Sequence, residues 1–310
     1  MPHLAGTTSK ENGATLIAAS LDANAQASAL GTHFPLLLAL ADDEASFAAI
    51  RMTQVLARAR GAVPSVLRAL GDAPAGETSM SQLADTVMEE HLRSDYLKEC
   101  RAAVEKLLSA EAGDVEWAVH VTNKAPIDAI VERVRSQRAE LIVMGLRYHG
   151  VLWRAITRDL LAEIVRRARV PVLAVRPELF GHLPRRIVVA VDFGAASIRA
   201  AHIARELLED DGTLCLVHVT PSNSAAVRAK LERILGDLVA APRMTITSVV
   251  LHGDVQSSIE GCAHAMDADL LAVGSGEHSL LDRLAHGPLS MKLAHSAQWS
   301  TLIVPARCDD

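Results

Sequence analysis

The chain repeats itself at a fixed interval. Glu140-Leu-Ile-Val-Met-Gly145 and Asp269-Leu-Leu-Ala-Val-Gly274 are each an acidic residue, a short apolar run and a glycine, and Gly145 and Gly274 stand at an offset of 129. The same offset, without a gap, relates the identical pairs Leu141/Leu270, His149/His278, Leu152/Leu281, Arg154/Arg283, Leu160/Leu289, Ala168/Ala297, Leu173/Leu302 and Val175/Val304, with Ile130/Ile259 and Ala139/Ala268 before them. Two copies of one domain follow, so any site motif has to be sought in pairs. The length agrees: 310 residues exceed what one core usually supports.

Within each copy, apolar runs alternate with stretches of helical period. In the second copy, residues 186–191, 214–219, 245–251, 270–273 and 301–304 read as strands, and 197–208, 225–238, 257–266 and about 289–295 read as helices. Five strands joined by four crossovers require a parallel sheet. The fold class is therefore α/β: two tandem doubly wound domains, each a five-stranded parallel sheet flanked by helices. Half of the residues are hydrophobic and only 3% aromatic, and such aliphatic cores suit strands buried on both faces.

The first copy repeats the order from Phe34. Ser46/Ser197 and Gly61/Gly212 stand at an offset of 151, which exceeds 129 by 22, so an insertion of that length lies in the first copy between about residues 72 and 95. It comprises residues 73–79 and the polar helix that follows, and such a long connection is expected as mobile decoration. The expected division is a flexible tail over 1–31, rich in Ala, Ser, Thr, Gly and Asn, a first domain over 32–178, a linker over 179–184 and a second domain over 185–310.

Several function classes fall away. A net charge of −6 and a pI near 6.1 give no basic face for nucleic acid. No stretch reaches the length of a bilayer span and the first residues lack a basic n-region, so a cytoplasmic protein is expected. Cys100, Cys215, Cys262 and Cys308 lie far apart without a Cys-x-x-Cys, which gives no disulfide framework and no zinc knuckle. His278, His286 and His295 do not share a ligand face, so no metal is expected. Gly274-Ser-Gly276 lacks the third glycine of a dinucleotide fingerprint, with Ser279 in its place, and it lacks the spacing of a nucleophile elbow. No catalytic residue emerges.

A strand ending in Asp192, a strand leading to Gly253-Asp254, the run into Gly274, the closing 301–304, and 140–145 followed by 170–176 together resemble a universal stress protein domain, in tandem from about Phe34 to Arg307. Nucleotide-binding members of that family resemble Gly-x-x-Gly, nine residues, then Gly-Ser or Gly-Thr. The glycines let backbone amides approach phosphates, and the hydroxyl adds a donor at a helix N-terminus. Counted from Gly145, the first copy has Tyr148, Arg158 and Asp159 at the later positions; the second keeps Gly274 and Gly287 but has Glu277 and Pro288. Asp192 matches the family's base-contacting aspartate, where the first copy has Ala41 followed by Asp42, and Gly253 is matched by Lys124.

The resemblance thus implies no nucleotide site in the first domain. In the second it implies an ATP or AMP site of Asp192, Gly253, Gly274 and Gly287. The repeated pairs His149/His278 and Arg154/Arg283 are read first as rim residues or contacts to the sister domain, and second as basic side chains able to face an anion, Arg283 in the second domain. The loop is degenerate in both copies, so the expected function is a non-enzymatic stress-response protein acting through protein association, with adenine-nucleotide sensing by the second domain as the alternative. The last strands, residues 170–175 and 301–304, bounded by Val170, Val175, Thr301 and Val304, are apolar edges that need a partner. They are expected to pair with each other within the chain, or to receive another protein.

Overall fold

The computed structural model describes residues 15–18, 34–41, 45–61, 63–71, 84–146, 151–177, 181–221, 224–238, 242–275 and 299–306. A short strand β1 (Thr15–Ala18) comes first. The first half follows as β2 (Leu36–Leu40), α1 (Ala45–Arg60), β3 (Ser65–Ala69), α2 (Ala84–Ala112), β4 (Ala118–Thr122), α3 (Pro126–Gln137), β5 (Leu141–Gly145), α4 (Val151–Ala168) and β6 (Val172–Val175). The second half repeats the order as β7 (Arg186–Ala190), α5 (Ala195–Leu207), β8 (Thr213–Val219), α6 (Ala225–Asp237), β9 (Thr245–Leu251), α7 (Val255–Ala265), β10 (Leu270–Ser275) and β11 (Ser300–Pro305).

All these strands join one sheet in the order β1-β9-β8-β7-β10-β11-β6-β5-β2-β3-β4. Within each half the pairs are parallel, and the half's first strand lies between its second and its fourth. Strand order therefore reverses at β7/β10 and at β2/β5, which makes both halves doubly wound. The inner strands β2, β5, β6, β7 and β10 are buried along most of their length, which is why they read as near-continuous apolar runs, whereas the edge strand β4 is half-exposed. Leu38, Val189, Leu216, Ala272 and Leu302 point to the face covered by α1, α2, α5 and α6. Leu37, Val188, Cys215, Leu271 and Ile303 point to the face covered by α3, α4 and α7.

The two halves are joined by their last strands. β6 and β11 pair antiparallel, with Val172 opposite Ile303, Leu173 opposite Leu302 and Ala174 opposite Thr301. Leu173 and Leu302 are equivalents of one another at the repeat offset, so a local twofold axis passes through this pair. It is an isologous contact made inside one chain. β6 lies between β5 and β11, and β11 between β6 and β10. Neither offers an open edge.

The acidic residue of the repeated motif is structural in the second half. Asp269 Oδ2 accepts the backbone N–H groups of Arg185 and Arg186, both at 2.8 Å, and ties the loop before β10 to the start of β7.

Two further segments are described in part. The flexible tail assigned to residues 1–31 contains β1, which pairs antiparallel with β9 at Thr15↔Val250 through Ala18↔Thr247. A strand edge presents unpaired N–H and C=O groups, and Thr-Leu-Ile-Ala is a tetrapeptide with the propensity to meet them. The second part of the insertion is helix, as its sequence predicts. α2 runs for 29 residues against 13 in its counterpart α6, and Val104, Leu108 and Ala112 near its end are buried in the core. Residues 72–83 lie outside the described part of the chain.

Candidate functional site

A doubly wound sheet holds its ligands beyond the carboxyl ends of the strands where the order reverses. In the second half that crevice lies past β7 and β10. β7 runs on to Asp192, whose carboxylate turns back on the chain: Oδ1 accepts the Gly194 N–H at 2.9 Å and the Ser197 hydroxyl at 2.6 Å. The Asp192 N–H in turn donates to Ser197 Oγ at 3.3 Å. The carboxylate therefore fastens the end of β7 to the first turn of α5, whose N-cap Gly194 has no side chain to do so. In the first half Ser46 makes a corresponding link, donating to the Ala41 carbonyl at 2.8 Å and accepting the Ala41 N–H at 3.2 Å. The serine is common to both joints.

Gly274, near the end of β10, meets the same helix turn. A Cβ there would lie 2.4 Å from Ser197 N and 2.7 Å from the Ala196 carbonyl carbon. Glycine is required because α5 rests on the strand. Gly253 is required for another reason: its φ of +113° is open to glycine and strained for other residues. Asp254 then caps α7, its Oδ1 accepting the Ser257 N–H and hydroxyl, both at 2.9 Å.

Asp192 and Gly274 thus come together through Ser197, while Gly253 sits past β9, two strands beyond β7. Arg283, Gly287, His278, Glu277 and Pro288 lie outside the described residues, as do His149 and Tyr148 of the first half and the histidines His286 and His295.

Three residues that sequence patterns did not single out shape the crevices. His218, at the end of β8, donates from Nδ1 to the Val191 carbonyl at 2.7 Å. Arg68 takes the equivalent place in the first half, with Nη1 3.4 Å from the Leu40 carbonyl. Burial lowers the pKa of its guanidinium from the ordinary value. Phe193, at a φ of 67° that bulky residues rarely adopt, stacks its ring 4.4 Å from that of His218, with Lys230 Nζ 5.2 Å from the ring centroid. The only sequence signal for His218 and Arg68 is a basic residue closing an apolar run.

A cavity of about 560 Å³ lies at the other end of the second sheet, where Leu183, Glu206, Leu208, Asp211, Arg243 and Met244 line it. Its charges are mixed and it is remote from the strand ends that carry Asp192 and Gly274. Replacing Asp192 with alanine is expected to cost about 1 kcal/mol through loss of the α5 joint, read as a lower midpoint in urea with an unchanged slope.

Strand order, crossovers and crevice define a tandem doubly wound α/β protein with its potential ligand position at the reversal of each half. The universal stress protein family profile matches the chain twice, over residues 34–176 and 184–305. The chain belongs to the universal stress protein family.

Among solved structures, a universal stress protein from Archaeoglobus fulgidus DSM 4304 superposes with a TM-score of 0.64 at 16% identity, covering 87% of this chain and 98% of that one. A protein of unknown function from Pseudomonas aeruginosa PAO1 gives 0.53 at 16% identity, covering 88% and 92%. A universal stress protein from Archaeoglobus fulgidus in complex with dAMP covers 46% of this chain and 96% of that one at 20% identity, with a TM-score of 0.29. Comparison with curated proteins finds no match. Among the described residues no helix is long and apolar enough to cross a membrane.

Proposed function

We propose that this is a non-enzymatic stress-response protein of the cytoplasm that acts through protein association and uses its second crevice as a structural joint. The observation that carries this reading is the double engagement of α5's first turn. Asp192 is hydrogen-bonded to it and Gly274 is packed on it, so the two family-matching residues at the reversal are already explained by the fold. In the first half Ala41 stands in the place of Asp192, while Gly145 keeps the place of Gly274. Denaturing the purified protein and chromatographing the supernatant is expected to release no adenine nucleotide. A stoichiometric nucleotide in the supernatant would reverse the assignment.

The second reading is adenine-nucleotide binding, ATP or AMP, by the second domain. What favours it is that the hydrogen bonds of Asp192 fall on Oδ1, so that Oδ2 is the atom through which a base or a ribose hydroxyl would be held. Under this reading Arg283→Ala abolishes nucleotide binding measured by calorimetry, and an unchanged affinity sets the role of Arg283 aside.

A further inference from the structure

β4 ends the sheet, and among the described residues no strand lies beyond it. At the repeat offset of 129, its residues 118–122 correspond to 247–251 of β9. The two edges are finished differently. β9 carries β1 on its outer side, antiparallel, with Thr15 opposite Val250 and Ala18 opposite Thr247. The equivalents of Val250 and Thr247 on β4 are Val121 and Ala118. This fold therefore accepts an antiparallel strand at the positions that β4 leaves open.

The groups that β4 turns outward follow from its ladder with β3. The Ala118 N–H donates to the Pro64 carbonyl at 3.1 Å, and the Thr122 carbonyl accepts the Leu70 N–H at 2.9 Å. Alternate residues of a strand bond to the same side, so Ala118, His120 and Thr122 serve β3. Val119 and Val121 present their N–H and C=O groups to the open edge. No proline interrupts residues 118–122.

The sequence along this edge complements itself. Antiparallel pairing with β4 of a second copy, centred on His120, sets Val119 opposite Val121, Ala118 opposite Thr122 and Glu116 opposite Lys124, each pair occurring on both sides of the axis. The outward residues Val119 and Val121 then exchange both of their backbone hydrogen bonds. A slip of two residues keeps outward groups facing one another but sets Glu116 opposite Thr122 or Pro126. Glu116 and Lys124 are both exposed. Lys124 Nζ lies 2.5 Å from Glu132 Oε2, yet both of those side chains are more than half exposed, and so weak a pair leaves the ammonium free to meet a second carboxylate.

We propose that two copies of this chain associate through β4, antiparallel and centred on His120, with Glu116 of each copy paired to Lys124 of the other. The contact is isologous and stops at two copies. It repeats between chains what β6 and β11 do within one. It supplies a partner for the protein association proposed above, and it stands whether or not the second crevice takes a nucleotide.

Sedimentation equilibrium of the full-length protein is expected to show reversible association of two chains, with a Kd on the order of 10 μM. Glu116→Lys sets like charges opposite one another on both sides of the axis and is expected to weaken the dimer about tenfold or more. Glu116→Lys combined with Lys124→Glu restores opposite charges and is expected to return the dimer. Exchange of the Val119 and Val121 amides is expected to slow as protein concentration rises, and not to do so in Glu116→Lys. A protein that stays monomeric to about 100 μM, a dimer indifferent to Glu116→Lys, or a double variant that does not recover would each overturn the proposal. So would a dimer broken by Ile17→Pro and not by Glu116→Lys, the mark of β1 exchanged between copies.

Discussion

Gly274→Ala is expected to destabilise the protein by about 3 kcal/mol, read as a shift of the urea midpoint at constant slope. The added methyl would meet Ser197 N, Ala196 C and Ser197 Cα, all backbone atoms of α5 and all closer than 3 Å. No rotamer change relieves a clash with backbone, so the helix must lift from β10 or the strand must bend. Either movement loosens the joint that Asp192 and Ser197 make between β7 and α5, and both helix and strands are core elements. Gly253→Ala should cost less, about 1–2 kcal/mol. Its penalty is conformational, with the nearest atom to an added Cβ at 3.7 Å. If the two glycines prove equally tolerant, α5 does not rest on β10 as described.

The larger effect is expected at the seam. Leu302 is fully buried and faces Leu173 across the local twofold. Leu302→Asp places a carboxylate among the aliphatic side chains of both halves, with no cation engaged there, at a cost of about 4 kcal/mol or more. That is a large share of the stability of an ordinary protein, so the variant should be mostly unfolded at moderate urea. The way in which it fails is more telling than the amount. Because β11 hydrogen-bonds to β6 as well as to β10, amide exchange should accelerate in the strands of both halves. Protection that survives undiminished in β5 and β6 would mean that the halves are independent bodies.

Much of this architecture was legible in the sequence, for a physical reason. Strands covered on both faces must be apolar at nearly every position, so 270–273 could be read as a strand, and it is the buried body of β10. The constant offset of 129 located β5, β6, β10 and β11 together, because it follows a stretch of chain whose length did not change between the copies. The universal stress protein resemblance rested on the same strand ends and is confirmed by the family match.

Other features were hidden because they are made by tertiary contact. Arg68 and His218 occupy equivalent places and bond equivalent carbonyls, but they are chemically different residues, so comparison of the copies by identity passed over them. β1 depends on the open edge of β9, which a local reading of residues 1–31 cannot supply. In the crevice, Asp192 and Gly274 were legible as family positions. That they also serve α5 was not, because Ser197 brings them together only in three dimensions.

The central claim is that the family positions kept in the second crevice serve the fold and not a ligand. The most direct test is calorimetric titration of ATP and AMP into full-length protein freed of any bound nucleotide by unfolding and refolding. The account predicts no saturable heat at ligand concentrations up to about 1 mM. One-to-one binding in the micromolar range, lost in Asp192→Ala, would contradict it.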